Sequence, residues 1–491
     1  MTKSWLSFLA IANDLYPEKI AIIEDDKNIS WSYAQLYEQT LKTLSLFKQM
    51  DIRKGDRVAI YAKNRVEHLT LLFASTYLGS ILVPMNYRLS HNESLEILDK
   101  VKPKAIFYEE GFCENVSYPV IDLDKINYKD YEASRMVEEI NIDLPNLMLF
   151  SSGTTGQPKG ILLHGRMLLS NQENTCRSWK LRNDDITLIS TPFFHTGGYN
   201  VLCLPLLKLG ATVIIKRDFD ADNVLEIIEK YNLTVYFGVP SIFNMIAESQ
   251  NFKEAQLESI RFFVSGGASC PVSLIETYQK KNIIFKQGFG LSEVGPNCFL
   301  LEGHEAIRKV GSIGRPMPHT NVLLLKEDGH LAGVDEVGEV LLSGEHVCAG
   351  YFNENERFKS CLFDGYFKTG DLAKMDKDGF FYIVGRKKDM YISGGENVYP
   401  AEVEKKIMEH PEISDVVIVP TKSAKWGEVG VAYLQGNKEL TIEELRVFLN
   451  EGLSRYKHPQ HLVNIKKMPL LDNGKVDRNQ IKQMALANFG Q

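Results

Sequence analysis

Leu147-Met148-Leu149-Phe150-Ser151-Ser152-Gly153-Thr154-Thr155-Gly156-Gln157-Pro158-Lys159-Gly160 joins an apolar, strand-like run to a loop of four hydroxyls, three glycines and one lysine. Glycine lets backbone N–H groups approach an anion closely, and the hydroxyls and the ammonium add donors, so the loop suits phosphate oxygens. The order differs from that of a Walker loop, in which Gly-Lys-Ser/Thr opens a helix. Here Pro158 precedes the lysine and biases Gln157 towards an extended backbone. A solvated turn is the plain alternative for such a composition. The strand lead-in together with the lysine favours a nucleotide phosphate.

Outward from this loop, helical and strand-like segments alternate for most of the chain. Ser32 with Gln35 forms a capping-box pattern ahead of a helix to about Lys48. A strand is expected over 57–62 and a helix over 67–78. Strands at 211–216, 234–239, 261–265 and 284–287 alternate with helices at 221–231, 241–249 and 272–281. Such alternation predicts helices covering mostly parallel sheets, an α/β class in which ligands bind where strand ends give way to loops. From about Val310 the texture shifts to short strands with glycine turns, as at 338–343 and 380–384. After Arg386 a compact α+β tail follows, with helices at 401–409 and 442–453 and strands at 415–419 and 429–435. We place the domains at 1–385 and 390–491, joined at 386–389.

The chain has 491 residues, 44% hydrophobic and 24% charged, as in an ordinary globular protein too long for one core. A net charge of −7 gives no electrostatic ground for nucleic acid as a partner. No apolar run reaches the ~18 residues of a membrane-spanning helix. Lys3 and the run from Trp5 to Ala12 loosely imitate a signal peptide, but the run is short and passes into Asn13-Asp14, so an amphipathic helix is expected. Seven scattered cysteines without a Cys-x-x-Cys pair suit a reducing, cytoplasmic setting.

Six further stretches carry chemistry. Pro192-Phe193-Phe194-His195-Thr196-Gly197-Gly198 is an aromatic–histidine run ending in two glycines; alone, it fits a core histidine before a turn equally well. Ser265-Gly266-Gly267-Ala268-Ser269 follows a strand without a large side chain, so a flat ring could lie on its backbone; a simple strand-to-helix turn is the other reading. Gly288-Phe289-Gly290-Leu291-Ser292-Glu293 supplies an aromatic plate, a hydroxyl and a carboxylate. Nucleotide-borne Mg²⁺ needs only one or two protein oxygens, so Glu293 suffices as its ligand. Thr369-Gly370-Asp371 is read as the end of a short strand, its carboxylate suited to a ribose diol, with Arg386 as a second donor. Gly394-Gly395 leads into a helix with Pro400 in its first turn. Asn473-Gly474-Lys475 puts one lysine on a glycine turn near the C-terminus.

Taken in order, these motifs resemble those of the adenylate-forming superfamily of acyl- and aryl-CoA ligases, peptide-synthetase adenylation domains and firefly-type luciferases. The resemblance covers essentially the whole chain. It is most like the bacterial fatty-acyl-CoA ligases, through 392–404, Lys425-Trp426-Gly427-Glu428 and Arg455-Tyr456-Lys457-His458-Pro459. Phe289 stands where tyrosine is common, and Ser292 where threonine is common.

The resemblance implies a large N-terminal domain of mostly parallel sheets with a β-rich subdomain, and a small mobile C-terminal domain. It implies ATP, Mg²⁺ and coenzyme A, and activation of a medium- or long-chain fatty acid as acyl-AMP before transfer to CoA. An aryl-acid or 2-succinylbenzoate-type CoA ligase, or a synthase loading a carrier protein, shares these motifs. Lys475, Glu293, His195 and Ser292 are the implied catalytic residues. Nucleotide and CoA contacts map onto Ser151, Ser152, Gly153, Thr154, Thr155, Gly156, Lys159, Gly267, Ala268, Gly288, Phe289, Gly290, Asp371, Arg386, Gly394 and Gly395. The acyl pocket maps onto His195, Gly198, Tyr199, Val239 and Gly266, and the hinge onto Asp389. No arginine precedes Gly288 to pair a second carboxylate, which weighs against dicarboxylates. The expected partners are small molecules, with a homodimer as the assembly considered.

Overall fold

The computed structural model describes residues 7–112, 116–134, 140–151, 158–268, 270–423, 425–471 and 476–489. The chain divides into two compact units, Met1–Asn321 with Leu342–Phe367, and Val322–Leu341 with Lys368–Gln491. The contact boundary thus groups part of the glycine-turn region with the tail, ahead of the expected join at 386–389.

The first unit holds two sheets. A nine-stranded sheet runs through Ile186–Ile189, Val235–Gly238, Phe262–Ser265 and Phe285–Leu291, and all three pairings among these strands are parallel. Antiparallel strands finish both of its ends. A seven-stranded sheet has a parallel centre, and its Pro145–Ser151 strand pairs antiparallel with Lys159–His164. The predicted phosphate loop is therefore the connection of a hairpin.

One apolar core runs from Val58, Ile60 and Leu147 of one sheet to Val213 and Val264 of the other. The helix Glu67–Leu78 lies within it, buried at every residue from Glu67 to Tyr77. Its sequence lacks a polar face because no face meets water. The Tyr33–Gln49 helix starts at Ser32 with both capping-box hydrogen bonds formed.

In the second unit, Tyr366–Met375 pairs with Phe381–Arg386. A further sheet contains Tyr391–Ser393, Glu396–Val398, Ile413–Ser423, Gly427–Gly436 and His461–Asn464. The helices Pro400–Ile407 and Ile442–Leu449 cover one face around Ile418, Ala432 and Leu434. The helix Arg478–Phe489 joins Val417, Val419 and Tyr433 through Ile481 and Ala485.

Candidate active site

Adjacent parallel strands open their carboxyl ends along one edge, where loops meet and ligands bind in open α/β sheets. Here Ile186–Ile189, Val235–Gly238, Phe262–Ser265 and Phe285–Leu291 do so side by side. The residues beyond their ends are those the sequence singled out: His195 to Gly198, Val239, Gly266 to Ala268, and Glu293. His195 precedes the short helix Thr196–Asn200 with its ring 4.4 Å from that of Phe194. Gly198 cannot be exchanged, since a Cβ there would stand 2.7 Å from the Pro192 carbonyl oxygen. Val239 precedes the helix Pro240–Glu248. Gly266 is buried, while Gly267, at φ +83°, and Ala268 are exposed.

Tyr199 belongs to the core: it is fully buried, its ring 4.6 Å from Phe193 and its hydroxyl 3.2 Å from His68 Nδ1. Burial pushes the Tyr199 phenol far up and the His68 imidazole down to about 4.

The strand expected to stop at Gln287 continues through Gly288, Phe289 and Gly290 to Leu291 and pairs antiparallel with Gly295–Leu301. The intervening turn carries Ser292, half-buried, and Glu293, buried. Its tightness explains Gly290, where a Cβ would lie 2.2 Å from the Gly295 carbonyl oxygen. Phe289 lies opposite Phe299, ring centroids 5.6 Å apart.

Lys159 meets this turn. Its Nζ donates to Glu293 Oε1 at 2.5 Å and to the Tyr351 hydroxyl at 3.0 Å, and the same hydroxyl donates to Glu293 Oε1 at 3.1 Å. Tyr351 arrives because Gly350–Tyr351 pairs antiparallel with the lysine's own strand. Burial, then the Glu293 charge, raise the Tyr351 phenol far above its ordinary range, so it remains a donor. Lys100 supports the loop's exit by donating to the Pro158 carbonyl at 2.9 Å and pairing with Glu354.

The Glu293 backbone is clamped as well. Cys348 N–H donates to the Glu293 carbonyl at 2.7 Å, and the buried His346 donates from Nδ1 to the Val294 carbonyl at 2.6 Å. Tyr351 and His346 were not found from sequence; Tyr351 gains its role from a strand pairing across nearly two hundred residues of sequence, and His346 from holding a turn from outside.

Among the described residues both side-chain contacts of Glu293 fall on Oε1, and none of those residues donates to Oε2, which suits a cation. No described group of three or more His, Cys, Asp or Glu could hold a metal by itself. One carboxylate with nucleotide phosphates and water is the mode in which Mg²⁺ binds beside a nucleotide, and the residues fit it.

In the second unit, Thr369-Gly370-Asp371 lies inside the ten-residue strand Tyr366–Met375 rather than at its end. Asp371 pairs across the sheet with Arg386, and its Oδ1 accepts from Arg386 Nε at 2.6 Å. Asp371 is buried and Arg386 exposed. Asp389 donates its N–H to the Arg386 carbonyl, and its carboxylate lies 3.7 Å from Lys482 Nζ. Gly394 and Gly395, at φ +61° and +89°, turn one short strand into the next. Gly394 packs on Trp426, whose carbonyl accepts its N–H at 2.8 Å. An open cavity of about 720 Å³ beside this turn is lined by Ile392, Gly395, Lys422, Trp426 and Glu428. Ser152, Gly153, Thr154, Thr155, Gly156 and Lys475 lie outside the described residues; Ser151 ends its strand, half-buried.

Comparison with known proteins agrees with this layout. Residues 9–352 match the AMP-binding enzyme family, and residues 402–475 its C-terminal domain. The chain is 33% identical to an indoleacetate–CoA ligase of Aromatoleum aromaticum, covering 96% of each chain. It is 32% identical to a feruloyl-CoA synthase of Amycolatopsis, covering 92% of this chain and 93% of the relative. It superposes on the o-succinylbenzoate CoA synthetase of Bacillus subtilis in complex with its acyl-adenylate intermediate, with TM-score 0.88, 29% identity and 97% of each chain covered. The same synthetase in complex with ATP and magnesium ion superposes with TM-score 0.87, 29% identity and coverage of 97% and 99%. No described helix is long and apolar enough to cross a membrane.

Proposed function

This chain belongs to the AMP-binding enzyme family, and we propose how its residues carry out the reaction of an AMP-forming acid–thiol ligase that uses ATP, Mg²⁺ and CoA. The observation that carries the reading is the Lys159–Glu293–Tyr351 cluster, which joins the phosphate hairpin to the carboxyl edge of the nine-stranded sheet.

In the first half-reaction a carboxylate oxygen of the acid attacks the α-phosphorus of ATP. A P–O bond forms, the bond to the bridging oxygen of the β-phosphate breaks, and pyrophosphate leaves. Two unit negative charges brought to about 4 Å repel by about 4 kcal/mol at an effective dielectric near 20, so the site must supply positive charge. Lys159 releases Glu293 and turns its ammonium to the phosphates, with Tyr351 keeping the carboxylate oriented, a role supported by its hydrogen bonds to both. When bound at Glu293, Mg²⁺ adds positive charge at the phosphate oxygens. Lys475 supplies the ammonium that bridges the carboxylate and the α-phosphate. Asp371 accepts from the ribose hydroxyls, steadied by Arg386.

In the second half-reaction the CoA sulfur attacks the acyl carbonyl, the thioester C–S bond forms and AMP leaves with the electron pair of the broken C–O bond. Thiolate needs little activation, so positioning dominates. The Gly394-Gly395 turn, with the neighbouring cavity, is the element we assign to the pantetheine arm, brought into place by rotation about Asp389.

A fatty acid is the substrate expected from the closest motif resemblance, whereas the relatives compared above are named for ring-bearing acids. The experiment is acid-dependent ATP–pyrophosphate exchange in wild type and Lys475→Ala. Loss of one preorganised charged donor is expected to slow exchange by about 10²–10³. Near-normal exchange in the variant removes Lys475 from the mechanism.

A further inference from the structure

Glu339 is the second residue of the strand Gly338–Ser343, which neighbours Tyr366–Met375 in one sheet. A carboxylate buried in a sheet is costly unless its oxygens find donors. Glu339 is buried, and each of its oxygens has one. Oε1 accepts the Gly370 N–H at 3.2 Å, and Oε2 accepts from the Lys387 ammonium at 2.9 Å.

These two donors flank the Asp371–Arg386 pair. Gly370 precedes Asp371, Lys387 follows Arg386, and the pair itself faces across the two strands. The Lys387 N–H donates to the Gly370 carbonyl at 2.9 Å, which closes a ring through Glu339. Gly370 is therefore held at both ends of its backbone. Beside it, the Thr369 hydroxyl donates to the Val340 carbonyl at 2.7 Å and accepts the Asp371 N–H at 3.1 Å. Gly370, at φ +75°, has nothing within 4 Å of an ideal Cβ. No side-chain packing at this residue fixes the direction of Asp371. A glycine has the most backbone freedom to lose, so the bonds on its N–H and carbonyl do that work.

We propose that Glu339 is the positioning residue of the ribose site: it touches no substrate and holds the Gly370 backbone so that the Asp371 carboxylate meets the sugar diol. The inference rests on the reading of Asp371 as the ribose acceptor. Glutamine in place of Glu339 cannot serve both donors, because an amide accepts at one end and donates at the other. Lys387 is exposed, and a surface ion pair contributes little, so the Gly370 bond carries the effect.

The test is equilibrium binding of ATP and of 2′,3′-dideoxy-ATP to the intact protein with Mg²⁺ and without acid, by calorimetry, beside a thermal melt. Wild type is expected to bind ATP about tenfold or more tighter than the analogue, the scale of hydrogen bonds to a charged acceptor. Glu339→Gln is expected to weaken ATP by about tenfold and to leave the analogue's affinity unchanged, so that the ratio falls towards one. A side chain that only packs would lower both affinities alike. Lys387→Met removes the surface donor without touching the buried carboxylate, and it is expected to keep the ratio. A wild-type ratio in Glu339→Gln, or an equal fall of both affinities, overturns the proposal. Loss of the ratio in Lys387→Met assigns the effect to the ion pair and overturns the role of the Gly370 bond, even if Glu339→Gln folds poorly. A wild type that does not distinguish the two nucleotides removes Asp371 from the ribose, and this inference falls with it.

Discussion

His346→Leu isolates the clamp on the Glu293 turn. His346 is 1% exposed, and burial lowers its imidazole below the ordinary range, so the ring is neutral with its proton on Nδ1, donated to the Val294 carbonyl at 2.6 Å. Gly344, at φ +146°, leaves room for the ring; a Cβ there would lie 2.8 Å from His346 Cδ2. Leucine fills most of the space and donates nothing. Leaving one buried acceptor unsatisfied costs about 1–3 kcal/mol.

Three other contacts still hold Glu293, from Cys348 N–H, the Tyr351 hydroxyl and the Lys159 ammonium. The part of the loss that shifts Glu293 is therefore set at about 1–2 kcal/mol, or about 5- to 30-fold in an equilibrium constant. The assay is ATP–pyrophosphate exchange titrated with Mg²⁺ at saturating acid, beside a thermal melt. The half-saturating Mg²⁺ concentration should rise by that factor with KM for the acid unchanged. His346→Asn, which restores an N–H at a similar reach, should recover most of the loss. If the melt falls while the Mg²⁺ requirement stays put, His346 only packs, and the clamp does not position Glu293.

Two further outcomes follow from the geometry. Asp389→Pro fixes φ and removes the N–H that bonds to the Arg386 carbonyl; acyl-AMP formation should persist while thioester formation stops, read as separate half-reactions, and equal loss of both would contradict a hinge at Asp389. His68 is held near 4 in the folded state against 6.5 for a free imidazole. The unfolded chain thus binds more protons in that interval, and stability should fall as pH drops from about 6.5 to 4, by up to about 1.4 kcal/mol per unit. Urea unfolding across this range should show a shallower slope in His68→Gln, and an unchanged slope would mean that His68 is protonated in the fold.

Local signals carried much of the fold. The Ser32–Gln35 capping box and the 221–231 helix, capped by the Asp220 side chain, stand where the residues placed them because cap and apolar spacing are complete within one segment; the 67–78 helix also stands there, without a side-chain cap. Glycine misled where it served pairing rather than turning. Gly288 and Gly290 read as loop, yet they lie in a strand whose hairpin partner leaves Gly290 no room for a side chain. Gly370, at φ +75°, made Thr369–Asp371 look like a strand end although the strand runs on to Met375. Tyr351 and His346 gave no local signal. Their positions depend on strand order and on which face of a sheet a residue occupies, and both are fixed only when distant segments pair.

The most direct measurement follows the nucleotide products of the intact protein with a ring-bearing acid, first without and then with CoA. Acid-dependent exchange of pyrophosphate into ATP without CoA, and AMP released in step with acyl-CoA once CoA is added, is the predicted result. Release of ADP and phosphate, or AMP formation that ignores the acid, would contradict the account.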